Sequence, residues 1–339
     1  MTRIYHDDDA DPSHLDGLTV GVVGFGNQGR SQAQNLRDSG VEVVVGNRRD
    51  GALEQAERDG FEVLPIAEAC ARADLVMLLV PDEAMPAVYT EQVAPHLEAG
   101  NTVVFASGYN VAFGLIEPAA DLDVVLVAPR MIGVGVRDAY LDGRGFPSFV
   151  GVHQDASGEA RQRMLALCQA IGSTRAGCIE MSMHDEASLD LFTEQGFAPA
   201  FGRVMMSAVE LLVQAGYPPE AVLLELYLSG ELAYSLEKIR EVGMTRQMDF
   251  HSRTSQYGSV TRGARYLGLD APLKETMGAI LEEIRSGRFA EEWSGQQEKA
   301  NQIFERVREA RDQLPFTRWE DRARAAFRIG EAAREDEAS

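Results

Sequence analysis

The chain has 339 residues, of which 45% are hydrophobic and 25% are charged, as in an ordinary globular protein with room for two domains. Its formal net charge of −21 argues against nucleic-acid and anionic membrane surfaces as partners, since both select basic faces. No apolar run reaches the roughly 18 residues of a membrane span, and the acidic start of the chain is unlike a secretory signal. Three widely spaced cysteines fit a reducing cytoplasm, where we expect them to be buried.

The first half of the chain alternates short runs rich in Val and Leu with segments long enough to cross over as helices. Near-continuous apolar runs suit strands that are buried on both faces of a parallel sheet. The runs cover residues 18–23, 41–45, 74–80, 102–106, 123–128 and 148–152. This alternation predicts an α/β domain with a doubly wound parallel sheet of the Rossmann type.

The pattern changes near residue 182. Beyond it the β-branched runs disappear, and apolar residues such as Val204, Leu211 and Leu236 recur at helical spacing. We therefore expect a Rossmann domain over 1–182, an all-helical domain over 183–330 and a tail over 331–339. The apolar stripes are interpreted as the core of the helical domain, and some of them are expected to pack against a partner subunit.

A glycine-rich turn follows the first predicted strand and opens a predicted helix. It consists of Gly24, Phe25, Gly26, Asn27, Gln28 and Gly29. In this context the first glycine permits a tight turn, the second admits the pyrophosphate, and the third lets helix and strand pack closely. The helix N-terminus adds unpaired N–H groups for the phosphates. The turn predicts a nicotinamide dinucleotide site; the alternative is a tight turn without a ligand.

The end of the second predicted strand carries Arg48 and Arg49. A guanidinium offers a planar fork to the 2′-phosphate of NADPH, so these arginines favour NADPH over NADH. Asp50 opposes this assignment, because a carboxylate at the ribose would repel that phosphate. NADH therefore stays open.

Two carboxylates stand four residues apart on a predicted helix, at Asp190 and Glu194. They share one helix face and repel each other, and a hard cation such as Mg²⁺ would offset that repulsion. The alternative is a solvated helix face. Apolar neighbours such as Leu191 and Phe192 indicate partial burial, so both interpretations stay open.

The motifs, taken in order, resemble those of the ketol-acid reductoisomerase (acetohydroxyacid isomeroreductase) family in its shorter class. The similarity runs from about Tyr5 to about Phe327 and includes the glycine turn, 35–41, 80–83, 153–158, 175–177, 190–195 and 252–258. It implies NADPH, Mg²⁺ and a helical domain built by intertwined subunits of a homodimer or larger homo-oligomer. Family enzymes of branched-chain amino-acid synthesis convert a 2-hydroxy-2-alkyl-3-keto acid to a 2,3-dihydroxy acid by a metal-dependent alkyl shift and hydride transfer.

The resemblance also implies roles for individual residues. Asp190 would bridge two metal ions, Glu194 would bind one of them, and Glu231 of the partner subunit would bind the second. Ser252 would touch the substrate carboxylate. Glu186 would stand near the metal, and Pro81 would border the cofactor.

The departures from the family pattern lie at the substrate and metal end. Arg130 stands for a lysine, Ser107 for a histidine, and Tyr227 for the earlier of two glutamates four residues apart. Gln256 and Ile132 also differ. The number of Mg²⁺ ions, one or two, stays open. One alternative is a divergent relative that reduces another keto or imino substrate in specialised metabolism, with or without isomerisation. The remaining alternative is a non-catalytic dinucleotide-binding protein.

Overall fold

A computed structural model describes residues 2–48 and 51–330, except the side chains of Glu298 and Asn301. It divides into two compact units, and the division falls between Asp190 and Leu191. Arg49, Asp50 and the predicted tail at 331–339 lie outside the described residues, so nothing is said of their structure.

The first unit is built on a nine-stranded sheet in the order β1-β9-β8-β7-β6-β5-β2-β3-β4. The strands are β1 Ile4–Tyr5, β2 Thr19–Val23, β3 Glu42–Gly46, β4 Glu62–Leu64, β5 Leu75–Leu78, β6 Thr102–Phe105, β7 Asp123–Pro129, β8 Ser148–Gln154 and β9 Cys178–Glu180. The central strands β4, β3, β2, β5, β6 and β7 pair in parallel. The predicted α/β fold of the Rossmann type is confirmed.

The sheet is mixed, whereas the sequence predicted a parallel one, because β7 pairs antiparallel with β8 and β1 with β9. The link between β7 and β8 begins and ends at the same sheet edge, where the Arg130 N–H donates to the Pro147 carbonyl at 2.9 Å. Strand β8 must therefore run back along β7. A run of apolar residues reports burial but not strand direction. The short strands β1, β4 and β9 carry too few residues to form a pattern.

Helices cover both faces of this sheet. They are α1 Asn27–Asp38, α2 Gly51–Arg58, α3 Ile66–Arg72, α4 Met85–Val88, α5 Tyr109–Ala112, α6 Gly133–Leu141, α7 Ala160–Ile171 and α8 Met183–Phe192. Alternate residues of β2 face opposite ways: Val22 packs in one core cluster with Leu36, and Val23 packs in the other with Ile66. Burial on both faces explains why the strands read as near-continuous apolar runs.

The second unit is helical. Its helices are α9 Ala198–Gln214, α10 Pro219–Leu223, α11 Glu231–Val242, α12 Arg253–Gly263, α13 Asp270–Arg285, α14 Arg288–Asp312 and α15 Pro315–Ala326. Its fully packed core is small, with Val209, Val222, Leu223 and Ala323 at the centre.

The interpretation of the apolar stripes as core is wrong for much of this unit. Val204 is 65% exposed, Leu211 67% and Leu236 50%, and Ile303 and Phe304 are each 46% exposed. Helical spacing shows that a helix has an apolar face, but it does not show what covers that face. Large exposed apolar patches are typical of interaction surfaces, so the packing of these side chains against a partner subunit stays a prediction.

The helical stretch Met183–Gln214 is long and apolar enough, by length and composition, to cross a membrane. Little of it is buried within the chain. A helix that packs against another protein subunit meets the same test, so the expectation of no membrane span stays a prediction.

We predict opposite outcomes for two glycines of the glycine turn. A Cβ on Gly29 would lie 2.0 Å from the Gly24 carbonyl oxygen, whereas a Cβ on Gly26 would meet nothing within 4 Å. Gly29→Ala should lower the free energy of unfolding by about 2 kcal/mol or more, measured by chemical denaturation. Gly26→Ala should leave stability unchanged and weaken dinucleotide binding, because its methyl group fills the space for the pyrophosphate. Equal stability of the two variants would contradict this account.

Candidate active site

The glycine turn forms an open cradle at the carboxyl end of β2. Gly24 adopts φ +96°, and its N–H donates to the Gly46 carbonyl at 2.9 Å. Helix α1 begins at Asn27, and no side chain caps its first turn. Its leading N–H groups are therefore available to an anion.

The other residues of the turn differ in their surroundings. Phe25 is 3% exposed and packs edge-to-face on Phe61, so its backbone rather than its ring is available to a ligand. Asn27 is exposed. The Gln28 side chain donates from Nε2 to the Met131 carbonyl at 2.8 Å.

A pocket of about 730 Å³ lies beyond the carboxyl end of β3. Arg48, Glu54 and Glu57 are among the residues that line it. Arg49 and Asp50, which bear on the choice between NADPH and NADH, are outside the described residues. Pro81 follows β5 and is exposed, and its carbonyl accepts the N–H groups of Ala84 and Met85, both at 3.0 Å.

A buried carboxylate is the centre of the polar cluster at the ends of β6 and β7. Glu186 is 1% exposed; its Oε2 accepts the Gly108 N–H at 2.6 Å, and its Oε1 accepts Arg130 Nη1 at 2.9 Å. The other guanidinium nitrogen of Arg130 donates to Asp190 Oδ1. The guanidinium carbon lies 4.8 Å from the centre of the Phe149 ring. One cation thus bridges two carboxylates from the same face of α8.

Burial, together with the negative charge of Asp190, raises the pKa of Glu186 to about 7, although the Gly108 N–H and Arg130 act in the opposite direction. A carboxyl group with this pKa can hold or release a proton near neutral pH. Perturbed carboxyl groups of this kind concentrate at functional sites.

Gly108 is a functional position that the sequence reasoning missed. A Cβ there would lie 2.1 Å from the Met183 carbonyl oxygen, so only glycine lets the start of α8 approach this loop. The available signal was a glycine three residues after the end of a buried strand. The neighbouring Ser107 is half-buried, and its Oγ accepts the Tyr109 N–H at 3.3 Å.

Two further buried groups follow Gly108. Among the described residues, the Tyr109 hydroxyl and the Asn110 side-chain oxygen have no hydrogen-bond partner. Burial, with a smaller contribution from Asp82, raises the pKa of Tyr109 to about 12, so the hydroxyl stays protonated. Asn110 Nδ2 donates to the Asp82 carbonyl at 3.2 Å and thereby joins the loops after β5 and β6.

Four other predicted positions lie in the second unit. Glu194 is exposed on a π-helical turn, Thr193–Phe197, and Glu231 is exposed at the start of α11. Ser252 caps α12, where its Oγ accepts the Ser255 N–H at 3.2 Å. The Tyr227 hydroxyl donates to Glu320.

Tyr227 and Glu231 do not share a regular helix. Tyr227 lies in a π-helical turn, Leu224–Leu228, and Gly230 with φ +84° separates that turn from α11. Counting four residues back from Glu231 assumes a continuous helix, so the spacing in the sequence does not give the spacing in space.

The structure thus brings Arg130, Glu186 and Asp190 together in the first unit, with Ser107 beside Gly108 in the same cluster. Over residues 2–48 and 51–330, no three His, Cys, Asp or Glu side chains of one chain form a group that could hold a metal ion. The metal roles of Asp190, Glu194 and Glu231 stay predictions.

A Rossmann-type sheet, a glycine turn that opens an uncapped helix, and a polar cluster at the same edge of the sheet are typical of a dinucleotide-dependent oxidoreductase. Two family models match the chain: the NADPH-binding domain of acetohydroxy acid isomeroreductase over residues 14–177, and the C-terminal domain of ketol-acid reductoisomerase over 183–329. The chain belongs to the ketol-acid reductoisomerase family. The predicted resemblance and enzyme class, an NAD(P)H-dependent oxidoreductase of that type, are confirmed.

Comparisons with individual proteins support the same family assignment. The chain is 45% identical over 313 residues to ketol-acid reductoisomerase (NADP(+)) of Methanopyrus kandleri, covering 91% of this chain and 93% of the relative. It is 40% identical over 309 residues to the enzyme of the same name from Pyrococcus abyssi, covering 91% and 92%. A solved NADH-preferring ketol-acid reductoisomerase from an uncultured archaeon is 36% identical, with a TM-score of 0.88 over 95% of this chain and 98% of that one.

Glu186 gives a prediction about pH. Its pKa in the folded state, about 7, lies above the ordinary value of 4.5, so the native state holds a proton that the unfolded state releases between those values. The stability of the wild type relative to Glu186→Gln should therefore fall as the pH rises from 4.5 to about 7 and then level off. Denaturant unfolding across that range measures the difference.

Glu180→Gln is the control for this prediction. Although burial raises the pKa of Glu180, hydrogen bonds from Arg161 and Tyr5 outweigh it, and the net shift is downward. Its contribution to stability should be lost only as the pH falls below 4.5. The same pH profile for both variants would contradict the assignment of a raised pKa to Glu186.

Proposed function

We propose that the chain is an NADPH- and Mg²⁺-dependent ketol-acid reductoisomerase of branched-chain amino-acid synthesis. It would isomerise a 2-hydroxy-2-alkyl-3-keto acid by an alkyl shift and reduce the product to a 2,3-dihydroxy acid. The observation that carries this proposal is the cluster of Arg130, Glu186 and Asp190, which lies at the same edge of the sheet as the glycine turn.

The cofactor site fits NADPH. The cradle around Gly24, Gly26 and the start of α1 suits a pyrophosphate, and the absence of a Cβ at Gly29 lets α1 begin directly against the Gly24 carbonyl. Arg48, in the pocket at the end of β3, suits the 2′-phosphate, and the matching family model describes an NADPH-binding domain. When bound, NADPH supplies the hydride.

The donor chemistry of the site suits Mg²⁺. Carboxylate oxygens are its preferred protein ligands, and the ion pair with Arg130 engages only one oxygen of Asp190. Because a single chain assembles no three-ligand group among its described residues, we propose that Asp190 and Glu194 act with Glu231 of the partner subunit. When bound, Mg²⁺ supplies Lewis-acid polarisation of the substrate oxygens.

The chain's own residues would orient the substrate and move protons. Arg130 places a fixed positive charge where alkoxide charge develops. Glu186, whose pKa is about 7, would hold the proton exchanged at a substrate oxygen. Ser252 accepts the Ser255 N–H as the cap of α12, so its own O–H stays available to donate to the substrate carboxylate.

We propose a homodimer, or a larger assembly built from it, located in the cytoplasm. Exposed apolar side chains of the second unit, including Val204, Leu211 and Leu236, support association with a second copy. The three cysteines are buried and unpaired, as expected in a reducing compartment.

The experiment that tests the function is a turnover assay. The protein is incubated with 2-acetolactate, Mg²⁺ and either NADPH or NADH, and oxidation of the nicotinamide is followed by the loss of absorbance of the reduced cofactor. We expect turnover of about 1 s⁻¹ or faster and a higher kcat/KM with NADPH. If the protein binds the nucleotide but reduces none of the ketones offered, the result would contradict an enzymatic function and favour a dinucleotide-binding protein.

A second candidate function is reduction without isomerisation. Tyr227 favours it, because this phenol pairs with Glu320, whereas the resemblance implied a metal-binding carboxylate at the position. Oxidation of NADPH by a simple 2-keto acid, with no turnover of 2-acetolactate, would select this candidate.

The assembly gives a separate prediction. Leu211→Asp places a charge on the exposed apolar face of α9. In sedimentation-velocity experiments it should shift the sedimentation coefficient from that of a dimer towards that of a monomer. Gln214→Asp adds the same charge at an exposed polar position of the same helix and should leave the sedimentation coefficient unchanged. A monomeric wild type, or dissociation by both substitutions alike, would contradict the proposed interface.

A further inference from the structure

The glycine turn and the loop that carries Arg130 are joined by a side-chain hydrogen bond. Gln28 lies in the first turn of α1, and its Nε2 donates to the Met131 carbonyl at 2.8 Å. The preceding residue, Arg130, is held by its backbone N–H, which donates to the Pro147 carbonyl at 2.9 Å. Anchors on two successive residues fix the direction in which the Arg130 side chain leaves the backbone.

A second glutamine sets the orientation of the Gln28 amide. Gln32, one turn further along α1, is fully buried, and its Nε2 donates to Gln28 Oε1 at 3.1 Å. Because the Gln28 oxygen accepts this bond, its nitrogen is the end that faces Met131. The side-chain oxygen of Gln32, Oε1, is buried without a hydrogen-bond partner among the described residues. Holding Gln32 against Gln28 therefore costs free energy of folding.

The same two segments also touch through their backbones. A Cβ on Gly133 would lie 2.1 Å from the Asn27 carbonyl oxygen, so the loop after β7 lies directly against the start of α1. The guanidinium of Arg130 then reaches Glu186 and Asp190. A continuous set of contacts therefore leads from the turn proposed to receive the pyrophosphate to the proposed substrate cluster.

We propose that Gln28 is a positioning residue that couples cofactor binding to the placement of Arg130. A pyrophosphate on the N–H groups of α1 fixes the first turn of that helix, and Gln28 transmits this order to the Met131 peptide and so to the guanidinium. NADPH and the substrate then bind more tightly together than separately. This inference rests on the proposed function and adds a role to a residue otherwise counted among the cofactor contacts.

The test uses the reaction product, 2,3-dihydroxy-3-methylbutanoate, which cannot react with NADPH. Its dissociation constant is measured by calorimetry in the presence of Mg²⁺, with and without NADPH. In the wild type we expect NADPH to tighten product binding by about fivefold or more. Gln28→Met, which keeps the length but cannot donate, should reduce this coupling to less than about twofold and should lower kcat more than it changes the KM for NADPH.

Gln34→Met is the matched control. Gln34 lies on the same helix and is half-buried, but its Nε2 donates to Asp59 Oδ2 at 3.0 Å, away from the Arg130 loop. This variant should keep the coupling of the wild type. Gln28→Glu is the second test variant, of equal size; its carboxylate can accept from Gln32 but cannot donate to Met131.

The outcomes separate this inference from the function on which it rests. A wild type that binds NADPH without any coupling to the product, or a coupling that survives in Gln28→Met or Gln28→Glu, overturns the inference alone. Loss of coupling in Gln34→Met to the same extent also overturns it. A wild type that does not bind NADPH at all overturns the proposed function instead.

Discussion

The burial of the Glu186 carboxylate is the constraint on which the candidate active site depends. A carboxylate that is 1% exposed needs partners, and it finds them in the Gly108 N–H and the Arg130 guanidinium. These two groups come from the loops after β6 and β7, so one side chain at the start of α8 holds both loops. The same contacts set the direction of Arg130 and the distance between its charge and Asp190. Stability and chemistry therefore depend on the same few atoms.

The sequence was enough to predict the Rossmann-type fold, because strands buried on both faces leave apolar runs and the glycine turn has few alternatives. It was not enough to predict the direction of β8, which depends on where the link after Arg130 returns to the sheet. It also could not show that Val204 and Leu211 lie on the surface, since helical spacing is the same whether a face packs within one chain or against another.

The site was predictable only in part. Asp190 was predicted as one of two carboxylates on a helix, whereas Glu186 and Arg130 were identified only through the family resemblance, Arg130 as a change from its pattern. Gly108 was not recognisable as a partner of Glu186, because it acts through a backbone N–H, which every residue except proline possesses. Likewise, the relation between Tyr227 and Glu231 depends on Gly230, whose left-handed conformation breaks the helix that the residue count assumed.

The small core of the second unit has a consequence for how the protein is made. Val209, Val222, Leu223 and Ala323 form a small buried cluster, and many other apolar side chains of the described helices stay exposed in a single chain. With a second copy as the proposed cover for the remaining apolar faces, the encounter of two chains becomes a step of folding itself. In a newly synthesised chain the first unit would then fold by itself, whereas the second unit would reach its native packing only after the chain meets a second copy. The concentration of the protein in the cell would therefore determine the native fraction.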